Sequence, residues 1–153
     1  MDTMTDTQAA DAVRAHHRQM VEHLTGLVAD VVEAGTAGNG GYPQARAALV
    51  EWARSELVPH ALGEERTFYA AASTLEPGRL LVESLVADHR VILGLVDAVE
   101  GSTSQPATDA WASALLRVFS AHAGKENDLV LPLLVDSPDV SVVEQLHGMH
   151  GHG

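Results

Sequence analysis

His60-Ala61-Leu62-Gly63-Glu64 decides how this chain is read, because the pair returns as His122-Ala123-Gly124-Lys125-Glu126. On an α-helix, residues four apart lie ~40° apart around the axis and ~6 Å along it, so each pair offers an imidazole and a carboxylate to one point. One such pair is commonly a solvated contact. Two of them, each among apolar residues, describe two helices that face one another across a buried polar site.

The spacing of apolar residues supplies the helices. Leu49, Trp52, Ala53, Glu56, Leu57, His60, Glu64, Thr67 and Ala71 fall on or beside one face of a helix predicted from Pro43 to Ser73. Pro59 removes the bond to the Ser55 carbonyl and predicts a kink, or a division into two helices, just before His60. The second pair sits on a helix expected from Ala107 to Val135, bent or ended by Pro132. Trp111, Leu115, Val118, Phe119, His122, Glu126, Leu129 and Leu133 face one way on it. Two further helices frame these. From Thr7 to Ala34, Val13, His17, Met20, Val21, Leu24, Val28 and Val31 form one stripe, with His16 at its edge and His23 farther round. From Arg79 to Glu100, Val82, Leu85, Val86, His89, Ile92, Leu93 and Val96 form another; Leu80, Val91 and Leu95 lie on other sides, where a further segment or a partner subunit would cover them.

Ala15-His16-His17-Arg18 matches Ala87-Asp88-His89-Arg90, and each precedes a helix bearing a His-x-x-x-Glu pair. This weak duplication pairs His17 with His89 and selects His17 over His16. Glycines from Gly35 to Gly41, the turn Thr74 to Gly78 and the loop Gly101 to Pro106 separate the helices. The expected fold is all-α, an antiparallel up-down-up-down four-helix bundle over about 7–135 in a single domain of 1–153. A short helix from Asp139 to His147 and a His-rich tail with His147, His150 and His152 complete it; the tail could bind metal adventitiously or pass iron inward, but it is read as a disordered end with no role.

Bulk composition narrows the chemistry. Hydrophobic residues make up 46% of the 153 and aromatics 4%, so the core is aliphatic. The formal net charge is −12, from 9 Lys and Arg against 21 Asp and Glu, and such a surface repels nucleic acid and anionic membrane. The absence of cysteine excludes disulfides and thiolate-held zinc or iron–sulfur clusters. The start, Met1 to Thr7, has neither a basic nor an apolar leader segment, and a cytoplasmic location is expected.

Four histidines and two glutamates thus point into one bundle. Burying two carboxylates with four imidazoles calls for a compensating cation. A single zinc ion is satisfied by about four ligands, whereas two irons bridged by carboxylates would use all six; imidazole with carboxylate suits iron or manganese. Glu56, one turn before His60, is expected to point inward, to orient a ligand imidazole or reach the metal. It is the one acid–base candidate. Glu65, ~100° from Glu64, is expected in a salt bridge or in solvent.

The order His17, His60-x-x-x-Glu64, His89, His122-x-x-x-Glu126 resembles the hemerythrin-like (HHE cation-binding) family over residues 10 to 135. The resemblance implies a non-haem centre of two iron ions, bridged by Glu64, Glu126 and an oxo or hydroxo group, with His17, His60, His89 and His122 as terminal ligands. Oxygen-carrying members place a second histidine one turn after the third-helix ligand, where this chain has Leu93, and an acidic residue where it has Asn127. The position of the missing histidine is open unless Glu56 or Tyr69 fills it; Tyr69 is poorly phased with Glu64 and ranks second. An exchangeable site favours turnover over reversible carriage. The expected function is reaction with hydrogen peroxide or dioxygen, foremost catalase-like peroxide decomposition. The alternatives are oxygen, nitric oxide or iron sensing or storage without turnover, and ferroxidase-type iron handling. The partners are those small molecules, in a monomer or weak homo-oligomer. A ferritin-like site would need Glu-x-x-His on two helices, and only Glu144 to His147 has that spacing.

Overall fold

The computed structural model describes residues 3–38 and 40–150, which hold helices and no strand. Helix α1 (Asp6–Ala37) begins at a reciprocal cap: Gln8 N–H donates to Thr5 Oγ1 at 3.1 Å and Thr5 N–H to Gln8 Oε1 at 2.9 Å. It stops at Gly38, whose φ of 63° is left-handed and costs glycine little.

The second arm of the bundle is a composite of α2 (Tyr42–Trp52), a π-helical turn at Ala53–Leu57, α3 (Val58–Arg66) and α4 (Phe68–Ser73). Helix α5 (Gly78–Gly101) is the third arm. The fourth joins α6 (Gln105–Lys125), a second π-helical turn at Glu126–Val130 and α7 (Leu131–Val135), and α8 (Val142–His150) follows.

Both π turns stand just before an X-Pro step, Val58-Pro59 and Leu131-Pro132. Proline has no N–H to give, and its ring would strike the carbonyl four residues back. The turn therefore widens, and Val58 N–H reaches Ala53 O and Leu131 N–H reaches Glu126 O, five residues back. The break expected before His60 is thus a swollen turn in a continuing arm. The wider turn also shifts helical phase: Glu56 and Leu129, both placed inward by a 3.6-residue period, are exposed. Trp111 is likewise outward and 45% exposed, its indole too bulky to enclose near the end of the bundle.

Two apolar layers bracket one polar layer. Along α1 the order is Val13, His17, Met20; along the second arm it is Leu57, His60, Glu64, Phe68. Along α5 it is Leu85, His89, Ile92, and along the fourth arm Phe119, His122, Glu126, Val130. Met20, Leu57, Ile92 and Phe119 belong to one apolar cluster; Val13, Phe68, Leu85 and Val130 belong to the other. Successive arms cross the layers in opposite senses, as an up-down-up-down bundle requires. Helix α1 packs on α2 and α6, and α5 on α2 and α6, closing the square.

His152 is outside the described residues, but contrary to the expected disordered end, His147 and His150 belong to α8, which lies across α1, α3, α4 and α7. Val143 N–H donates to Asp6 Oδ1 at 3.1 Å, tying its start to that of α1. Small residues let it approach closely: a Cβ on Gly148 would stand 2.9 Å from Thr67 Cγ2, and one on Gly63 would stand 3.0 Å from Met149 Sδ. Leu80 and Val91 remain exposed, so no described segment covers that side of α5. Among the described residues no helix is long and apolar enough to cross a membrane.

Candidate metal centre

His17, His60, Glu64, His89, His122 and Glu126 meet in the polar layer. Glu64 is its middle. Its Oε2 lies 3.3 Å from His17 Nε2 and 3.2 Å from His60 Nε2, while its Oε1 lies 3.6 Å from His89 Nε2. Glu126 Oε1 spans the same gap from the other side, 3.4 Å from His122 Nε2 and 3.9 Å from His17 Nε2. Two groups of donors that could hold a metal ion share Glu64: His17 and His60 with it, and His89 and His122 with it.

Tyr69 adds a seventh side chain. Its hydroxyl donates to Glu126 Oε2 at 2.9 Å and lies 3.0 Å from His122 Nε2 and 3.2 Å from His89 Nε2. The ring stacks on His89 at 5.2 Å. A continuous helix would turn Tyr69 ~140° away from Glu64. Thr67 breaks that continuity with φ −116° and ψ −88°, its Oγ1 and N–H both bonded to the Gly63 carbonyl, and α4 restarts with Tyr69 inward. Glu56 does the reverse of what its spacing predicts. It lies on the rim of a cleft beside His60 and bonds no ligand imidazole.

Three of the imidazoles are oriented through Nδ1 by a residue adjacent in sequence to Glu64, His89 or Glu126 on the neighbouring arm. Asn127 Oδ1 lies 2.7 Å from His17 Nδ1, Glu65 Oε2 2.8 Å from His89 Nδ1, and Asp88 Oδ2 3.0 Å from His122 Nδ1. Lys125 Nζ holds Asp88 at 2.6 Å, and Arg14 bonds the Asn127 carbonyl at 3.0 Å. Fixing Nδ1 leaves each Nε2 lone pair aimed at the centre. Glu65 thus makes a salt bridge, as its position suggests, but the partner is the buried His89 of the polar layer. The signal in the sequence is adjacency: a residue ~100° from a ligand faces the next helix.

Two buried carboxylates side by side cannot both be charged cheaply. Burial and then the neighbouring Glu64 push the Glu126 pKa well up. For Glu64 burial also acts upward, but His60, His17 and a bond from Glu126 outweigh it and hold the pKa well down. Burial lowers the His17 and His89 pKa values, yet Glu64 with Asn127, and Glu64 with Glu65, reverse this, and both end raised. Burial prevails at His122, which ends lowered despite Asp88. Burial, then Glu64 and Glu126, raise Tyr69, which stays a phenol.

This donor set fits a cation better than it fits its own hydrogen bonds. His60 Nε2 is buried and makes no hydrogen bond, although Glu64 Oε2 is 3.2 Å away. Four imidazole nitrogens and four carboxylate oxygens crowd a space that a positive charge would fill, and nitrogen with oxygen donors and no sulfur suits iron or manganese.

Comparison with curated protein sequences and with solved structures gave no match. Residues 8–151 match a family model, that of the hemerythrin HHE cation-binding domain. With nearly the whole chain matched and a buried His and Glu cluster able to hold a metal at its middle, this protein belongs to the hemerythrin HHE cation-binding family.

Proposed function

We propose that the chain is a non-haem di-iron protein that decomposes hydrogen peroxide in catalase-like fashion, two molecules giving two of water and one of dioxygen with no outside reductant. The observation that carries this reading is an asymmetry. Tyr69 closes the His89 and His122 half, whereas the His17 and His60 half borders a cleft of about 600 Å³ that opens past His60. A small oxidant has a route to one half, and no described side chain there takes the place that Tyr69 takes in the other.

In this reading His17 and His60 hold one iron, His89 and His122 the other, and Glu64 and Glu126 are shared. Tyr69 offers its oxygen where the helix carrying Leu93 lacks a second histidine. When bound, the iron pair supplies reversible ferrous–ferric electron transfer and Lewis acidity toward oxygen ligands. The chain supplies the rest. Asn127, Glu65 and Asp88 lock the imidazoles that they touch, so little reorganisation accompanies a change of metal charge. Tyr69 Oη donates to Glu126 Oε2 and so orients that carboxylate. Leu57, Ile92 and Phe119 wall off one side from water. Glu56, exposed at the cleft rim, is left as a group that an entering peroxide passes.

The test is stopped-flow absorbance of the iron-loaded protein mixed with hydrogen peroxide, with dioxygen followed by electrode on the same sample. Many turnovers of dioxygen, and return of the ferric absorbance to its start, are expected. A single spectral change with no dioxygen would replace the reading with sensing, storage or ferroxidase chemistry.

A further inference from the structure

The ring of imidazole supports is broken at one place. Going round the bundle, the second arm's Glu65 holds His89, α5's Asp88 holds His122, and the fourth arm's Asn127 holds His17. The next step would have α1 hold His60, and the residue of α1 in that position, adjacent to the ligand His17, is His16. Its ring stands 5.2 Å from that of His60, tilted by 46°, and no hydrogen bond joins them. His60 makes no hydrogen bond with any described residue, and its Nδ1 is not among the enclosed atoms left unpaired. The His60 side chain is 9% exposed, and that opening is into the cleft.

The cleft is far larger than peroxide needs. Its volume of about 600 Å³ is within the range of small-molecule sites. Val13, Phe68, Leu146 and Met149 give it apolar walls, the last two from α8. Arg66 and Glu56 are its two charged side chains, and Arg66 makes no ion pair or hydrogen bond with any described residue; His16, His60 and His150 add imidazoles. A guanidinium without a partner and an imidazole whose Nδ1 makes no hydrogen bond, both lining one cleft with apolar walls, form a receptor for an anion with an apolar body.

We propose that this cleft binds a small amphipathic carboxylate, whose head accepts a hydrogen bond from His60 Nδ1 and pairs with Arg66 while its chain lies against Phe68, Leu146 and Met149. The bound carboxylate completes the ring of supports, doing for His60 what Glu65 and Asp88 do for their histidines. The cleft thereby places occupancy by an organic acid in direct contact with a residue of the metal centre. The orienting role rests on His60 binding iron through Nε2; the binding itself does not.

Octanoate is the probe, titrated into the full metal-free chain by isothermal calorimetry. Saturable one-to-one binding is expected, with octan-1-ol at least about tenfold weaker, since a charge-assisted bond is lost. Arg66→Gln should weaken octanoate about fivefold, the guanidinium being exposed. Ala12→Phe, which fills the cleft from an exposed position on α1, should abolish binding. The ¹⁵N resonance of His60 Nδ1 should move on titration, while those of His89 and His122 stay. Absence of saturable binding, equal affinity for octan-1-ol, indifference to both substitutions, or an unmoved His60 resonance would each overturn the proposal. Because the titration uses metal-free protein, failure of iron to bind leaves this result readable, and failure of octanoate to bind leaves the iron reading intact.

Discussion

Replacing Tyr69 by Phe removes one oxygen and leaves the ring, which is 1% exposed and stacked on His89, where it is. The lost bond is the 2.9 Å donation to Glu126 Oε2. A buried acceptor deprived of its donor costs about 1–3 kcal/mol, and the vacated space is too small to add a cavity term. A chain of this length loses about 2–4 °C of Tm per kcal/mol, so a loss of about 2 kcal/mol lowers the melting temperature of the metal-free protein by about 4–8 °C. Tyr42→Phe is the internal control: its hydroxyl bonds the Thr103 carbonyl at 3.2 Å on the surface, and its loss should move Tm by less than about 2 °C. Differential scanning calorimetry of the metal-free variants reads both. Equal melting temperatures for Tyr69→Phe and wild type would refute the placement of the hydroxyl against Glu126 and remove Tyr69 from the centre.

Asp88→Ala should weaken iron binding about 10- to 100-fold by freeing the His122 ring, and Asn127→Leu should do the same through His17; competition with a chelator measures both, and unchanged affinity would remove the support role. Glu56→Gln should leave iron content and Tm at wild-type values, since the side chain is exposed and bonds no ligand. A fall in iron content would return Glu56 to the centre. Gly78→Ala should be severely destabilising, because the new Cβ would stand 2.1 Å from the Ala72 carbonyl oxygen; thermal melting at or near the wild-type value would contradict that packing. As the pH rises above about 6.5, the ordinary histidine value, the metal-free protein should lose Tm. His17, His89 and Glu126 have raised folded-state pKa values, so their contribution is complete below the unfolded pKa and is lost as pH rises through the folded one. Iron binding needs those same groups deprotonated, so the gain in Tm on iron loading should grow over the same rise in pH; a gain that shrinks would place the metal elsewhere.

The bundle was legible because four amphipathic stripes are long and their period survives local defects. His17 over His16, and the two His-x-x-x-Glu pairs, follow from that period and from the Ala15–Arg18 and Ala87–Arg90 match, and the structure brings all six named residues into one layer. What escaped the period are the places where it fails. The π turns before Pro59 and Pro132 rotate Glu56 and Leu129 outward, and the break at Thr67 rotates Tyr69 inward. A proline announces that a helix is disturbed but not whether it bends, ends or widens. Thr67 announces nothing, since threonine inside helices commonly bonds back to a carbonyl four residues earlier. Glu65, Asp88 and Asn127 were visible as neighbours of ligands, yet which neighbouring helix each one faces depends on the order of the arms around the square. His60 differs from its three counterparts because His16, at the matching position, is not an acceptor of the same kind.

The central claim is that six side chains from four arms form a site for two irons. Metal-free protein loaded with ferrous iron without oxygen, desalted and analysed by plasma mass spectrometry against protein concentration tests it most directly. The account predicts two irons per chain, falling to one or fewer when Glu64, shared between the two histidine pairs, is replaced by Ala. A wild-type content of one or fewer, or a Glu64→Ala protein that retains two, would contradict it.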